Sequence, residues 1–133
     1  MALQISTEDY IPTAFRDLGV PEAVDIGLHA AGFSTPFAIQ TKAIPVALTG
    51  RDVCGRARTG SGKTLAFGVP LLARLQGDSQ PNRPKAVVLV PTRELATQVA
   101  ATFTALGKPL GLRTAAIYGG VGYQPQMRAL KAG

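Results

Sequence analysis

The segment Ala57-Arg58-Thr59-Gly60-Ser61-Gly62-Lys63-Thr64 constrains this chain more than any other stretch. Apolar residues lead into it and a long helical pattern follows it, so it reads as a strand, a tight glycine turn and a helix. Glycine has no Cβ, which lets backbone N–H groups crowd inward around an anion. A helix starting near Gly62 aims its positive end at the same point. Lys63 is placed to reach the outer phosphates of a nucleotide, and the Thr64 hydroxyl to join Mg²⁺. Ala57 stands where the usual pattern opens with glycine, a mild departure. A structural glycine turn is the other reading; the full string between strand and helix favours phosphate.

Composition narrows the rest. The chain has 133 residues, of which 46% are hydrophobic. One domain with a real core fits, on a prior of roughly 100–200 residues per domain. No apolar run approaches the ~20 residues of a membrane span. Residues 1–12 carry Glu8 and Asp9 and no early positive cluster, so no signal peptide is read there. The single Cys54 excludes an internal disulfide framework and is expected as a small core residue on a buried strand. These features together suit a cytoplasmic protein. Net charge is +6, and no acid follows Glu94 while Lys108, Arg113, Arg128 and Lys131 do. A basic back half suits a polyanion such as RNA or DNA, or forms a solvated basic surface.

Along the chain, residues 1–14 read as a loosely ordered lead-in. A short helix is expected over 22–31, opened by Pro21 and closed by Gly32. A second is expected over 41–48, stopping at Gly50. Residues 52–57 read as a strand and 62–75 as a helix, with Leu65, Val69 and Leu72 on one face and a bend or tightened turn at Pro70. Residues 77–84 form a polar loop. The run 85–90 is apolar and β-branched, as in a strand buried on both faces. A helix is expected over 93–106, with Leu95, Val99, Phe103 and Leu106 on one side. A third strand spans 112–118 and a last helix 124–132. The order predicts a parallel sheet with helices on both faces and right-handed crossovers.

Phosphates do not select a base. A glutamine amide presents one acceptor and two donors, and adenine presents N6 donors beside an N7 acceptor. Gln40 is a candidate for that pairing, which favours ATP over GTP, and Phe15 is a candidate to cover the base's face. The plainer alternative makes Gln40 an ordinary residue near a helix start and Phe15 a core anchor.

Phe15 followed by Gly32-Phe33-Ser34-Thr35-Pro36-Phe37-Ala38-Ile39-Gln40 resembles the Q motif (15–40) of the DEAD-box RNA helicases. The loop at 57–64 resembles their motif I. Pro91-Thr92-Arg93-Glu94-Leu95-Ala96 resembles motif Ia, and Gly119-Gly120 their GG element. The resemblance covers most of the chain. It implies an incomplete RecA-like P-loop domain of α/β class over 15–133. It implies that Gln40 reads adenine with Phe15 stacked on it, that Thr59 to Thr64 hold the phosphates and Mg²⁺, and that Pro91, Thr92, Arg93, Gly119 and Gly120 lie on an RNA backbone. The chemistry agrees: Arg93 offers a charged fork, and a Gly-Gly turn lets a strand approach closely. Nothing here reads base edges, so binding is expected to be sequence-independent and weakened by salt. Thr92 also reads as a helix N-cap, and Gly119-Gly120 as a turn. Phe37, Ala38 and Arg58 depart from the family's usual Thr, Pro and Gln; Arg58 adds charge near the nucleotide or faces solvent.

Hydrolysis also needs an acid after a neighbouring strand to hold Mg²⁺, and a group that orients water. The eight acids are Glu8, Asp9, Asp17, Glu22, Asp25, Asp52, Asp78 and Glu94, and none follows an apolar strand. The expectation is the front part of an ATP-dependent RNA helicase, unable alone to turn over ATP or unwind RNA. A non-catalytic ATP- or RNA-binding module is the alternative. Neither RNA substrate nor oligomeric state is legible.

Overall fold

Local capping groups decide where the helices of this chain begin, and those starts set the geometry of the glycine loop. The computed structural model describes residues 2–3, 14–77 and 83–132. They divide into two compact units, Met1–Arg74 and Leu75–Gly133.

In the first unit, β1 (Ala2–Leu3) pairs in parallel with β2 (Cys54–Gly55), Ala2 opposite Cys54 and Leu3 opposite Gly55. A 3₁₀ turn spans Phe15–Leu18. Helix α1 (Glu22–Ala30) starts after Pro21, and Glu22 and Asp25 lie in its first turn, where the helix dipole favours acids. Its end is a Schellman arrangement: Phe33 N–H donates to Leu28 O at 2.8 Å and Gly32 N–H to His29 O at 3.0 Å. Helix α2 (Ala38–Leu48) starts three residues earlier than the sequence pattern suggests. The reason is a back-reaching cap: Phe37 N–H donates to Gln40 Oε1 at 2.7 Å, which satisfies a helix-end donor. Helix α3 (Lys63–Leu75) runs through Pro70, which withdraws one ladder bond. Its expected apolar face is buried, with Leu65, Val69 and Leu72 joining Ala66. Ile39, Ala43 and Ala66 form a cluster against which Val53 and Ala57 pack, so the entry to the glycine loop rests on the helical core.

The second unit holds α4 (Arg93–Gly107), a 3₁₀ turn over Lys108–Leu110 and α5 (Tyr123–Ala132). Phe103 and Leu106 are buried on α4, whereas Leu95, expected on the same side, is 39% exposed. Two ties join α5 to the run before it: Arg113 donates to Ala132 O, and Gln126 binds the backbone of Tyr118.

Strand expectations need correction. Only Cys54–Gly55 of the run 52–57 is paired, and among the described residues the runs 85–90 and 112–118 form no ladder. Both carry strand-type residues, but a strand exists only through its neighbour's hydrogen bonds. The sheet of the described residues is two-stranded and parallel. Val87 and Leu89, expected to be buried on both faces, are 75% and 90% exposed, because a parallel sheet buries both faces only when neighbouring strands and helices cover them. Cys54 is likewise exposed rather than a core residue. The lead-in 1–14 and the loop 77–84 lie largely outside the described residues. No helix among those described is long and apolar enough to cross a membrane.

Candidate functional site

The glycine loop is held from below by one amide. Gln40 is 2% exposed, and its Nε2 donates to Gly62 O at 2.9 Å while its Oε1 accepts from Phe37 N–H. The start of α2 is therefore tied directly to the start of α3. Gly62 O also accepts from Leu65 and Ala66 N–H, as the residue capping α3. Gly62 has φ of +81°, and an added Cβ there would meet Gln40 Nε2 at 2.2 Å and Phe37 Cδ2 at 2.8 Å. Only glycine fits this turn, for conformational and steric reasons together.

Above the turn, Lys63 Nζ donates to Ala57 O at 2.7 Å and Arg58 O at 2.6 Å, folding the ammonium back over the loop. Thr59 and Gly60 are exposed at the crest. The Ser61 hydroxyl oxygen is buried and has no hydrogen-bond partner among the described residues. A buried hydroxyl without a partner is costly, and it lies in a loop whose amides and lysine suit an anion. Thr64 is half-buried in the first turn of α3, and the Arg58 side chain is exposed. Among the described residues no three His, Cys, Asp or Glu side chains gather as a metal cluster.

Phe15 is fully buried in the 3₁₀ turn, packed with α1 and α2. Its ring has no open face in this conformation, and stacking on a base requires that ring to be uncovered. Phe37, by contrast, is 54% exposed beside Gly62. The sequence marked Phe37 only as a departure from a pattern, and nothing in a linear reading places it against a glycine 25 residues later.

In the second unit, Thr92 caps α4, its hydroxyl accepting from Leu95 N–H at 3.2 Å. The cap leaves Pro91, Thr92 and Arg93 all exposed at the helix's positive end. Arg93 pairs with Glu94 at 3.5 Å on the surface. The guanidinium reaches Gly120: a Cβ there would lie 3.4 Å from Arg93 Nη1, and φ is +83°. Fold-back thus brings Arg93 beside the exposed Gly119-Gly120 turn.

A family model for the DEAD/DEAH box helicase matches residues 37–133. The chain belongs to the DEAD/DEAH box helicase family. The ATP-dependent rRNA helicase RRP3 of Yarrowia lipolytica is 43% identical over 129 residues, covering 97% of this chain and 26% of the relative. The ATP-dependent RNA helicase DeaD of Escherichia coli is 47% identical, over 91% of this chain and 19% of its own length. The crystal structure of the RNA helicase Prp28 from Chaetomium thermophilum bound to ADP matches with a TM-score of 0.83 and 36% identity, covering 96% of this chain and 32% of that one. The chain thus spans about a quarter of the length of the curated DEAD-box relatives it matches. Its fold is that of an incomplete RecA-like domain, rich in helices and poor in paired strands.

Proposed function

We propose that this chain is the front part of a DEAD-box ATP-dependent RNA helicase, with an adenine-nucleotide site in its first unit and an RNA-backbone site in its second. The observation that carries the nucleotide reading is the Gln40 bridge between Phe37 N–H and Gly62 O. It links a side chain suited to adenine with the loop suited to phosphate. Gln40 uses one N–H and one lone pair internally and keeps one of each. Those two match the N7 acceptor and N6 donor of adenine once the amide, 2% exposed in this conformation, is uncovered, whereas guanine offers acceptors at both places.

The residues fit a nucleoside triphosphate. Backbone amides of the loop from Thr59 to Thr64, the N-terminus of α3 and the Ser61 hydroxyl, which has no partner among the described residues, supply donors. Lys63 exchanges the carbonyls of Ala57 and Arg58 for outer phosphate oxygens, and Thr64 offers its hydroxyl to Mg²⁺ held with them. The nucleotide supplies the free energy of a phosphoryl bond; these residues bind and orient it. The ADP in the Prp28 structure supports this reading. None of the chain's acids follows an apolar strand, so these residues alone are expected to bind without turnover. A non-catalytic binding module remains the second reading on that same observation.

RNA contact is assigned to Pro91, Thr92, Arg93, Gly119 and Gly120, supported by the approach of Arg93 to Gly120 and by the relatives RRP3 and DeaD being RNA helicases. Arg93→Ala is expected to weaken binding of single-stranded RNA about tenfold and to reduce the salt slope by about one. The loss should be similar for every RNA sequence, because a phosphate contact carries no base information. Fluorescence anisotropy over a salt series measures both. Unchanged affinity and slope would remove Arg93 from the interface.

A further inference from the structure

We infer that Gln126, on α5, is a positioning residue for the Gly119-Gly120 turn, fixing it in the shape that meets an RNA backbone. The inference rests on the RNA reading above and adds a residue outside the motifs that suggested it. Gln126 Oε1 accepts from Tyr118 N–H at 3.0 Å, and its Nε2 donates to Tyr118 O at 3.2 Å. One side-chain amide thus satisfies both backbone groups of Tyr118, as a neighbouring strand residue would. The same Nε2 lies 3.4 Å from Gly122 O, a longer contact at the far side of the turn. The segment between these two anchor points holds Gly119, Gly120 and Val121, all exposed.

Geometry separates anchor from contact surface. Gln126 is partly buried behind the turn, whereas the glycines and Arg93 face solvent. Gly120 has a positive φ, and glycine backbones lose the most freedom when ordered. A Gly-Gly turn left loose would pay that ordering cost on every binding event; a turn pinned at entry and exit has already paid it in folding. Gln126 has the reach for both ends, and its two-sided amide supplies the acceptor and donors that Tyr118 and Gly122 need.

The test uses the purified chain and a short fluorescein-labelled oligouridine, with residue-resolved amide exchange. Gln126→Met keeps length and removes every hydrogen bond. It is expected to lower RNA affinity about tenfold, the size of one or two lost hydrogen bonds, and to speed Tyr118 amide exchange by a similar factor. Exchange along α4 and nucleotide affinity should not change. Gln126→Glu keeps the acceptor for Tyr118 N–H but sets a carboxylate oxygen against Tyr118 O and Gly122 O, so it should lose RNA affinity at least as far as Gln126→Met. Gly120→Val tests the underlying reading separately. If Gly120→Val abolishes RNA binding and Gln126→Met leaves it intact, the positioning role is wrong and the RNA reading stands. If neither variant affects RNA, both fail. If Gln126→Met also strips protection from α4, Gln126 is a general structural anchor and the inference is overturned.

Discussion

Gly62→Ala is expected to disable the nucleotide site and destabilise the first unit together. The added methyl would lie 2.2 Å from Gln40 Nε2, so the amide must leave its place or the turn must move. Either change breaks the donation from Gln40 to Gly62 O and exposes the cap of α3 to rearrangement. The residue must also hold a φ of +81°, which L side chains adopt at a cost. Together these amount to roughly 2–3 kcal/mol, from backbone strain and one lost buried hydrogen bond. Chemical denaturation should show a lower midpoint at constant slope. Nucleotide affinity should drop by about two orders of magnitude, because the amides facing the phosphates are no longer aligned. Wild-type stability and affinity in Gly62→Ala would mean that the loop does not depend on this packing.

Lys63→Ala isolates binding from folding. The ammonium is exposed and its partners are the carbonyls of Ala57 and Arg58, which water can serve after truncation. Stability should therefore change little, on the order of 0.5 kcal/mol, as for a surface substitution. Nucleotide affinity should fall about a hundredfold or more, since charge-assisted bonds to phosphate are lost. Isothermal titration with Mg-ATP reads the affinity, and circular dichroism on heating reads the fold. A loss of fold equal to that of Gly62→Ala would make Lys63 a structural strut rather than a phosphate ligand.

Which features were legible in the sequence follows from how local their causes are. The helices at 22–30, 63–75 and 93–107 were readable because caps and apolar spacing act within a few residues: Pro21, Thr92 and the Leu65, Val69, Leu72 face. The early start of α2 is not legible in the sequence, because it depends on Gln40 turning back to Phe37. The runs 85–90 and 112–118 carry a strand signal without a ladder among the described residues, since β-branched residues favour a strand but its ladder is non-local. Cys54 is exposed for the same reason: its burial requires a sheet more extensive than the two-stranded one of the described residues. At the site, the loop residues were legible as a motif. The Gln40–Gly62 bond, the approach of Arg93 to Gly120 and the Gln126 clasp on Tyr118 join residues brought together only by folding.

The central claim is that the loop and Gln40 form one adenine-selective site. A labelled adenine nucleotide bound to the chain, displaced in parallel by ATP and by GTP, tests it most directly, with Lys63→Ala as the control for specific binding. ATP should displace the label at least about tenfold more effectively than GTP, the difference made by one matched against one opposed polar contact. Equal displacement by GTP, or binding that survives in Lys63→Ala, would contradict the account.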